Sequence, residues 1–204
     1  MSNTKRKSLI TCAIAAIMQL TGCAKNVQWE EEVLLNKGET IWVTKEVRYI
    51  IKGQPGNPLD LGYLPDFEET TSFKYGGRAY TYKGKAGLMV LAISPEKVPV
   101  LLALPGGGGW YKYNVFPRCA KPYYVQFVPD VTGQHWTWPD QIELWTYNLP
   151  ANLLGHRDHP SDVKRRYTMA DKAAQRYMHD PQLLSSQKIN PLFTNPDCHE
   201  AKQP

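Results

Sequence analysis

The stretch that decides the fold is residues 88–104, which read LMVLAI, SPEK and VPVLLAL. Two apolar runs without polar alternation, separated by four turn-forming residues, predict neighbouring central strands that are covered on both faces. Pro99 has no backbone N–H to give to a ladder, so we expect it at a strand start or at an unpaired position. These two strands are the predicted centre of the core.

Further short runs of strand-forming residues lie on both sides of this pair. Apolar and polar residues alternate through residues 27–35 and 41–51 around Asn36-Lys37-Gly38, which predicts a hairpin. The density of glycine and proline in residues 52–66 predicts a long loop. Strands at this spacing predict a mainly β fold, an antiparallel sandwich or barrel-like domain. The remaining predicted strands are residues 67–75, 78–82, 110–116, 123–128 and 142–147.

One helix is predicted, and it comes late in the chain. Thr168 and Asp171 have the spacing of a capping box before an alanine-rich segment, and Asp180-Pro181 ends that segment. The residues that follow are polar and spaced by prolines, so we expect them to run extended over the surface. The predicted domain therefore carries one C-terminal helix and an extended tail.

The first 23 residues have the pattern of an export signal. Lys5, Arg6 and Lys7 precede a mostly apolar run, which ends in Leu20-Thr21-Gly22-Cys23. The apolar run is about a dozen residues long, whereas a helix needs roughly 20 to cross a bilayer. We therefore expect a cleaved leader and no permanent transmembrane helix.

The tetrapeptide that ends this leader resembles the lipobox of bacterial lipoproteins, and the chain as a whole is similar to short lipoproteins of Gram-negative bacteria. The resemblance implies cleavage before Cys23 and acylation of its thiol and its new amine, as with palmitate. Several acyl chains make a durable anchor, whereas one holds only marginally. Ala24, in place of Asp after the cysteine, resembles lipoproteins sorted to the outer membrane. The alternative is an ordinary cleaved signal with a chance cysteine.

The expected location is thus a lipid anchor in the cell membrane, in the outer membrane and on its periplasmic face. Three of the 24 lysines and arginines precede Cys23 and none of the 19 acidic residues does, so cleavage lowers the net charge from +5 to about +2. The mature chain is nearly neutral, which argues against nucleic acid as a partner. The predicted segments are a signal peptide, 1–22, a β-rich domain with the late helix, 23–180, and the tail, 181–204.

Cysteine use is consistent with an exported protein. Cys12 leaves with the signal and Cys23 carries the lipid, so Cys119 and Cys198 remain as thiols. Two thiols in an oxidising compartment predict one disulfide, although two unpaired cysteines are the alternative. In the chain-entropy model this bridge stabilises the fold by roughly 4 kcal/mol.

No motif for cofactor, metal or catalytic chemistry is predicted. The four glycines of residues 106–109 lack the Lys-Ser or Lys-Thr of a phosphate loop, so a flexible loop between strands is expected there. His156, Asp158 and His159 are residue types that bind zinc, but they lie with a cation in a turn-like segment. No Gly-x-Ser-x-Gly motif occurs. No cofactor and no metal ion is therefore expected.

Aromatic residues give the strongest hint of a binding site. Eleven of them fall within residues 110–147, and His135-Trp136-Thr137-Trp138-Pro139 follows an evident loop. Trp136 and Trp138 point to the same side if the segment is extended. We predict that they form with His135 a surface for a glycan or a partner protein, the alternative being that they fill the core.

These observations predict a membrane-tethered, periplasm-facing binding or envelope-assembly module. The partners expected are the membrane, through the lipid, and an envelope protein or glycan. The alternative is a tethered hydrolase that acts on envelope polymers, with His135, His156, Asp158 and His159 near its site. No catalytic residue is assigned.

Overall fold

The computed structural model describes residues 24–54, 57–104, 120–139, 141–155, 160–179 and 188–194. Within these residues the chain is mainly β with a single short helix near its C-terminal end. The strands and the helix are β1 (Ala24–Leu34), β2 (Thr40–Gln54), β3 (Asn57–Tyr75), β4 (Arg78–Gly84), β5 (Gly87–Ile93), β6 (Pro99–Leu104), β7 (Val125–Pro129), β8 (Trp136–Thr137), β9 (Arg166–Tyr167) and α1 (Met169–His179).

The strands form two sheets. Sheet A has the order β4-β3-β2-β1-β9, and sheet B has the order β5-β6-β7-β8. Every neighbouring pair is antiparallel except β1 with β9, which is parallel. This arrangement is consistent with a β sandwich and confirms the predicted fold class, including the C-terminal helix.

The main core lies between the two sheets. Val33, Val43 and Phe73 of sheet A pack with Leu91 and Leu101 of sheet B, and all are buried. A second apolar cluster covers the other face of sheet B with side chains from the later part of the chain, including Tyr124, Ile142 and Ile189. Because both faces of sheet B are covered, β5 and β6 carry continuous apolar runs, as predicted. Pro99 is the first residue of β6, also as predicted.

The prediction that both apolar strands are central is correct only for β6. Strand β5 is the edge of sheet B, and its outward-facing backbone groups are paired with two asparagine side chains. The amide of Asn152 hydrogen-bonds to the backbone of Leu91, and the amide of Asn36 does the same for Ile93. The edge is thereby closed to further strand pairing.

The predicted loop at residues 52–66 is wrong. Strand β2 continues to Gln54 and β3 begins at Asn57, so most of this glycine- and proline-rich segment is paired. The pairing of β2 with β3 slips between Val47 and Tyr49, close to Pro65, and again after Gly53, where β3 carries Pro58. Proline is tolerated at such irregularities because a ladder bond is already missing there.

Two further predictions need correction or lie outside the described residues. Residues 142–147 do not form a strand: they contain a 3-10 helix, Leu144–Thr146, below the outer face of sheet B. The predicted strand at residues 110–116 lies outside the described residues. The late helix is confirmed as α1, and the capping box is formed, with Asp171 accepting from the Thr168 backbone N–H at 3.0 Å.

The inner face of sheet A also buries charged side chains. Lys172 of α1 reaches Glu31 of β1, with 2.7 Å between Nζ and Oε2. Lys45 of β2 is 3.3 Å from Glu69 of β3 and donates to the carbonyl of Leu154 at 2.8 Å. All four charged side chains are almost completely buried. These contacts fasten α1 and residues 151–154 to sheet A.

Part of the predicted tail is also fixed to the domain. Ile189 is fully buried, and its backbone N–H donates to the Leu149 carbonyl at 3.0 Å. The carbonyl of Phe193 accepts from the Tyr123 backbone N–H at 2.9 Å. Residues 188–194 therefore pack on the outer face of sheet B.

Candidate functional site

A cleft of about 380 Å³ opens between β4 and the β7–β8 hairpin. We call it the aromatic cleft, because five of its eight lining residues carry ring side chains. It lies where an edge strand of sheet A meets an edge of sheet B. Its volume is near the lower end of the about 300–1,000 Å³ usual for small-molecule sites. It is lined by Tyr82, Lys83, Gly84, Phe127, Gln134, His135, Trp136 and Trp138.

The loop between β7 and β8 is held in shape by Asp130. The Asp130 Oδ1 atom accepts two hydrogen bonds from Thr132, one from its hydroxyl at 2.7 Å and one from its backbone N–H at 3.0 Å. The hydroxyl bond is the main reason that the pKa of the Asp130 carboxyl lies below its usual value. The loop in turn docks on β4, where the Thr81 N–H donates to the Gly133 carbonyl at 2.9 Å. The cleft wall is therefore set by hydrogen bonds.

Trp136 forms the inner wall of the aromatic cleft. Its indole Nε1 donates to the Thr81 carbonyl at 2.7 Å, which ties β8 to β4. The ring meets Tyr80 and Tyr82 edge-on, at centroid distances of 6.5 and 6.1 Å, and packs against the main core. Since its only N–H is already used, Trp136 offers a ligand ring surface and no polar contact.

Trp138 forms the outer rim. It is 41% exposed, and its ring stands edge-on to Phe127 at a centroid distance of 6.2 Å. The two indoles of the sequence motif thus line the same cleft, but their environments differ. Trp136 is half-buried against the main core, whereas Trp138 is exposed to solvent. Of the two alternatives left open by the sequence, filling the core fits Trp136, and an exposed surface fits Trp138.

Tyr82 lies at the base of the cleft and is buried. Burial raises the pKa of its hydroxyl well above the usual value, and the nearby Glu69 carboxylate raises it further. Tyr82 is therefore a neutral phenol at any physiological pH. A Cβ atom at Gly84 would overlap the Tyr82 hydroxyl oxygen, so the ring keeps this position only beside a glycine.

Polar groups occupy the mouth of the cleft. His135 and Gln134 are exposed on the loop, and Lys83 is exposed on β4, where it pairs with Glu68 at 3.0 Å. None of the described lining residues is acidic. The arrangement offers stacking surfaces and hydrogen-bond donors, and it lacks a pair of carboxyl groups that could share acid and base roles.

No protein-family model, curated protein or solved structure matches the chain. The function is therefore inferred from the geometry and chemistry of the aromatic cleft.

The other sequence-predicted functional residues lie outside the described residues: Cys23, Cys119, His156, Asp158, His159 and Cys198. The lipid anchor and the disulfide thus stay predictions. Within the described ranges, no group of three histidine, cysteine or acidic side chains is placed to hold a metal ion. No described helix is long and apolar enough to cross a membrane.

Three of the eight lining residues, His135, Trp136 and Trp138, were predicted from the sequence, and the other five were not. Tyr82 and Phe127 lie in predicted strands, but nothing in their local sequence says that β4 and β7 meet at one edge of the sandwich. Gly84 carries a weak signal, because a glycine at the end of a strand often marks a close approach.

Proposed function

We propose that this protein is a membrane-tethered lipoprotein that faces the periplasm and binds an envelope glycan in the aromatic cleft. The observation that carries the binding role is the pairing of Trp136 and Trp138 in one cleft with Tyr82 below them. The apolar C–H face of a sugar ring packs well on an indole, and hydroxyl groups at its edge suit donors such as Gln134 and His135. The tether is inferred from the lipobox.

Rigidity supports binding over a purely structural role for the cleft. The Asp130 turn and the Trp136 to Thr81 hydrogen bond fix the wall before any ligand arrives. A wall that is already ordered loses little conformational entropy on binding. An exposed indole such as that of Trp138, beside such a wall, is typical of residues that dominate binding energy.

The alternative of a tethered hydrolase depends on His156, Asp158 and His159, which lie outside the described residues. His135 is described, and it stands at the mouth of the cleft among residues suited to binding. The described geometry therefore favours a binding module, and a thermal-shift assay with zinc and with a chelator tests the alternative. A shift with either reagent would favour the hydrolase.

Substitution of Trp138 tests the binding role. We expect Trp138→Ala to weaken binding of solubilised peptidoglycan fragments or an N-acetylglucosamine oligomer at least tenfold, about 1.4 kcal/mol, with little change in stability. Isothermal titration calorimetry measures the affinity. The matched control is Trp42→Ala. Trp42 is 37% exposed on the face of sheet A that points away from sheet B, where it stacks with Arg166. Equal binding by the Trp138 variant and the control would contradict the proposal, as would no binding of any glycan by the wild type.

The tether has its own test. Cys23→Ser should abolish labelling by an alkyne fatty acid and release the protein from membranes. Retention of the label in this variant would contradict lipidation at Cys23.

A further inference from the structure

Strands β2 and β3 extend beyond the other described strands of sheet A at one end. Strand β1 begins at Ala24, which pairs with Ile50, and β2 continues for four more residues to Gln54. Strand β3 returns from Asn57 beside it. At about 3.4 Å per residue, this two-stranded extension reaches about 14 Å past the start of β1. We call it the β2–β3 ribbon, residues 51–54 and 57–63.

The ribbon projects from the end of the sheet where the lipid would be attached. Cys23 is bonded to Ala24, so its Cα atom lies about 3.8 Å from the first paired residue of β1. No flexible tether separates the acylated residue from the sheet. When the sheet stands with this end towards the bilayer that holds the acyl chains of Cys23, the ribbon projects towards the lipid headgroups.

The side chains of this end suit a lipid headgroup region. Leu61 on the ribbon is 67% exposed, and Ile51 is half-buried. Lys25 and Lys52 are exposed at the same end of sheet A, where Lys25 pairs with Tyr49 and Lys52 pairs with Gly62. The Lys52 ammonium is 4.0 Å from the nearest oxygen of Asp66, too far for a strong bond. An exposed apolar side chain and lysines at one end of a sheet are the residue types of segments that lie in a membrane interface.

The ribbon is also braced against the domain. Tyr63 packs on the buried cluster that contains Trp29, Tyr49 and Tyr167. The pairing of β2 with β3 continues from this cluster out to Gln54. The ribbon is therefore held in a fixed position relative to the rest of sheet A.

We propose that the β2–β3 ribbon lies in the headgroup layer of the membrane that holds the lipid anchor, with Leu61 in the interface and with Lys25 and Lys52 against lipid phosphates. This inference depends on the proposed lipid anchor. It fixes the height of the aromatic cleft, because Gly84 and Thr81 are in register with Val27 and Glu30 of β1 through β2 and β3. The cleft then faces a layer about 10–20 Å above the start of β1, where a polymer close to the membrane is within reach.

Site-specific photo-crosslinking in membranes tests the ribbon. A diazirine amino acid replaces Leu61 in one full-length variant and Val131 in the control. Val131 is 85% exposed in the loop that contacts Arg78, at the opposite end of sheet A. Both proteins are labelled in cells with an alkyne fatty acid, and lipid adducts are counted by mass spectrometry after irradiation. Both sites are exposed, so folding should be kept, and thermal unfolding checks this.

We expect lipid adducts at residue 61 to exceed those at residue 131 at least tenfold. Lys52→Glu should lower the yield of adducts at residue 61, whereas Lys37→Glu, in the distant β1–β2 turn, should leave that yield unchanged. An acylated protein with equal adducts at both positions would overturn the ribbon proposal and leave the anchor standing. A protein without the acyl label would overturn the anchor and the ribbon proposal together, so the two failures are distinguishable.

Discussion

At the scale of single residues, the side chain of Asn152 makes the hydrogen bonds that a neighbouring strand would otherwise make to β5. Its Oδ1 accepts from the Leu91 N–H at 2.8 Å, and its Nδ2 donates to the carbonyls of Leu91 at 2.8 Å and Leu34 at 3.0 Å. An asparagine amide has one acceptor and one donor group, as a peptide unit has, and so it can complete the edge of β5. The same side chain joins the two sheets, since Leu34 belongs to β1.

Removal of this side chain should be costly. We expect Asn152→Ala to lower the free energy of unfolding by about 3 kcal/mol, because it leaves buried backbone groups of Leu91 without partners, at about 1–3 kcal/mol each. Urea unfolding measures the loss. Asn26→Ala, at an exposed site in β1, is the control and should stay within about 0.5 kcal/mol of the wild type. Equal stability of the two variants would show that water replaces the amide.

At the scale of elements, a buried ion pair attaches α1 to the sandwich. Lys172 bonds to the Glu31 carboxylate and also donates to the carbonyls of Glu32, at 2.7 Å, and Asn152. The Glu31 carboxylate accepts in addition from the Leu154 N–H. The ammonium and the carboxylate are thus satisfied together, and the loss of either leaves a buried charge.

Lys172→Met should therefore destabilise the protein by about 3–5 kcal/mol, the usual cost when one partner of a buried pair is removed. Lys164→Met is the matched control, because the Lys164 to Asp171 pair lies at the surface, and it should have little effect. Chemical unfolding of both variants gives the comparison. Adding Glu31→Gln to Lys172→Met should recover part of the loss, and a further loss of stability in the double variant would contradict this account.

The start of α1 should give the protein an acid-sensitive component of stability. Hydrogen bonds from the Thr168 N–H and hydroxyl, with help from Lys164, lower the pKa of Asp171 to about 2 from a usual value of 3.8. A lowered pKa means that the charged form stabilises the folded state, so the contribution is complete above about pH 4 and is lost as the pH falls towards 2.

The stability difference between wild type and Asp171→Asn should accordingly be constant from pH 5 to 7 and shrink between about pH 4 and pH 2. Urea midpoints at a series of pH values measure it, and a carbon NMR titration of the Asp171 carboxyl gives the pKa directly. A stability difference that persists unchanged at pH 2 would mean that the asparagine destabilises the protein for a reason other than the lost charge, such as its hydrogen-bond geometry.

At the scale of the whole molecule, the two sheets are joined at one side by the loop that carries the aromatic cleft. Gly133 is central to this contact. Its φ of +75° favours glycine, and a Cβ atom there would lie 2.8 Å from the Ala79 carbonyl oxygen and 2.9 Å from the Tyr80 ring. The loop can approach β4 closely only because this residue has no side chain.

We expect Gly133→Ala to destabilise the protein by about 1–2 kcal/mol for its left-handed backbone and by about 1–3 kcal/mol more for the clash with β4. Gly38→Ala is the matched control: its φ is +85°, but a Cβ atom there meets nothing within 4 Å, so only the first cost applies. Thermal or urea unfolding separates the two costs. Ligand affinity should fall in the Gly133 variant alone, since the cleft wall moves with the loop, and equal effects of both substitutions would argue against this contact.

The sequence by itself determined the strand-rich class, the two buried apolar strands, the first hairpin and the capped late helix. These features depend on side-chain periodicity and on turn and capping preferences, which act between residues only a few positions apart. The motif around Trp136 and Trp138 was found for the same reason: two rings separated by one residue lie on one side of an extended chain.

Only the tertiary structure decided which strands are edges, what closes them and where the cleft lies. Asn152 and Leu91 are 61 residues apart, and Trp136 and Thr81 are 55 residues apart. A similar distance in sequence separates Tyr82 from the indoles above it. Residues 52–66 were missed for a different reason: their pairing is local, as in Lys52 with Gly62, but their glycines and prolines indicate a loop, and the structure accommodates them at two slips in the ladder. Local patterns record whether a side chain prefers water or the interior, whereas partners are chosen by the packing of whole sheets, which no short stretch of sequence contains.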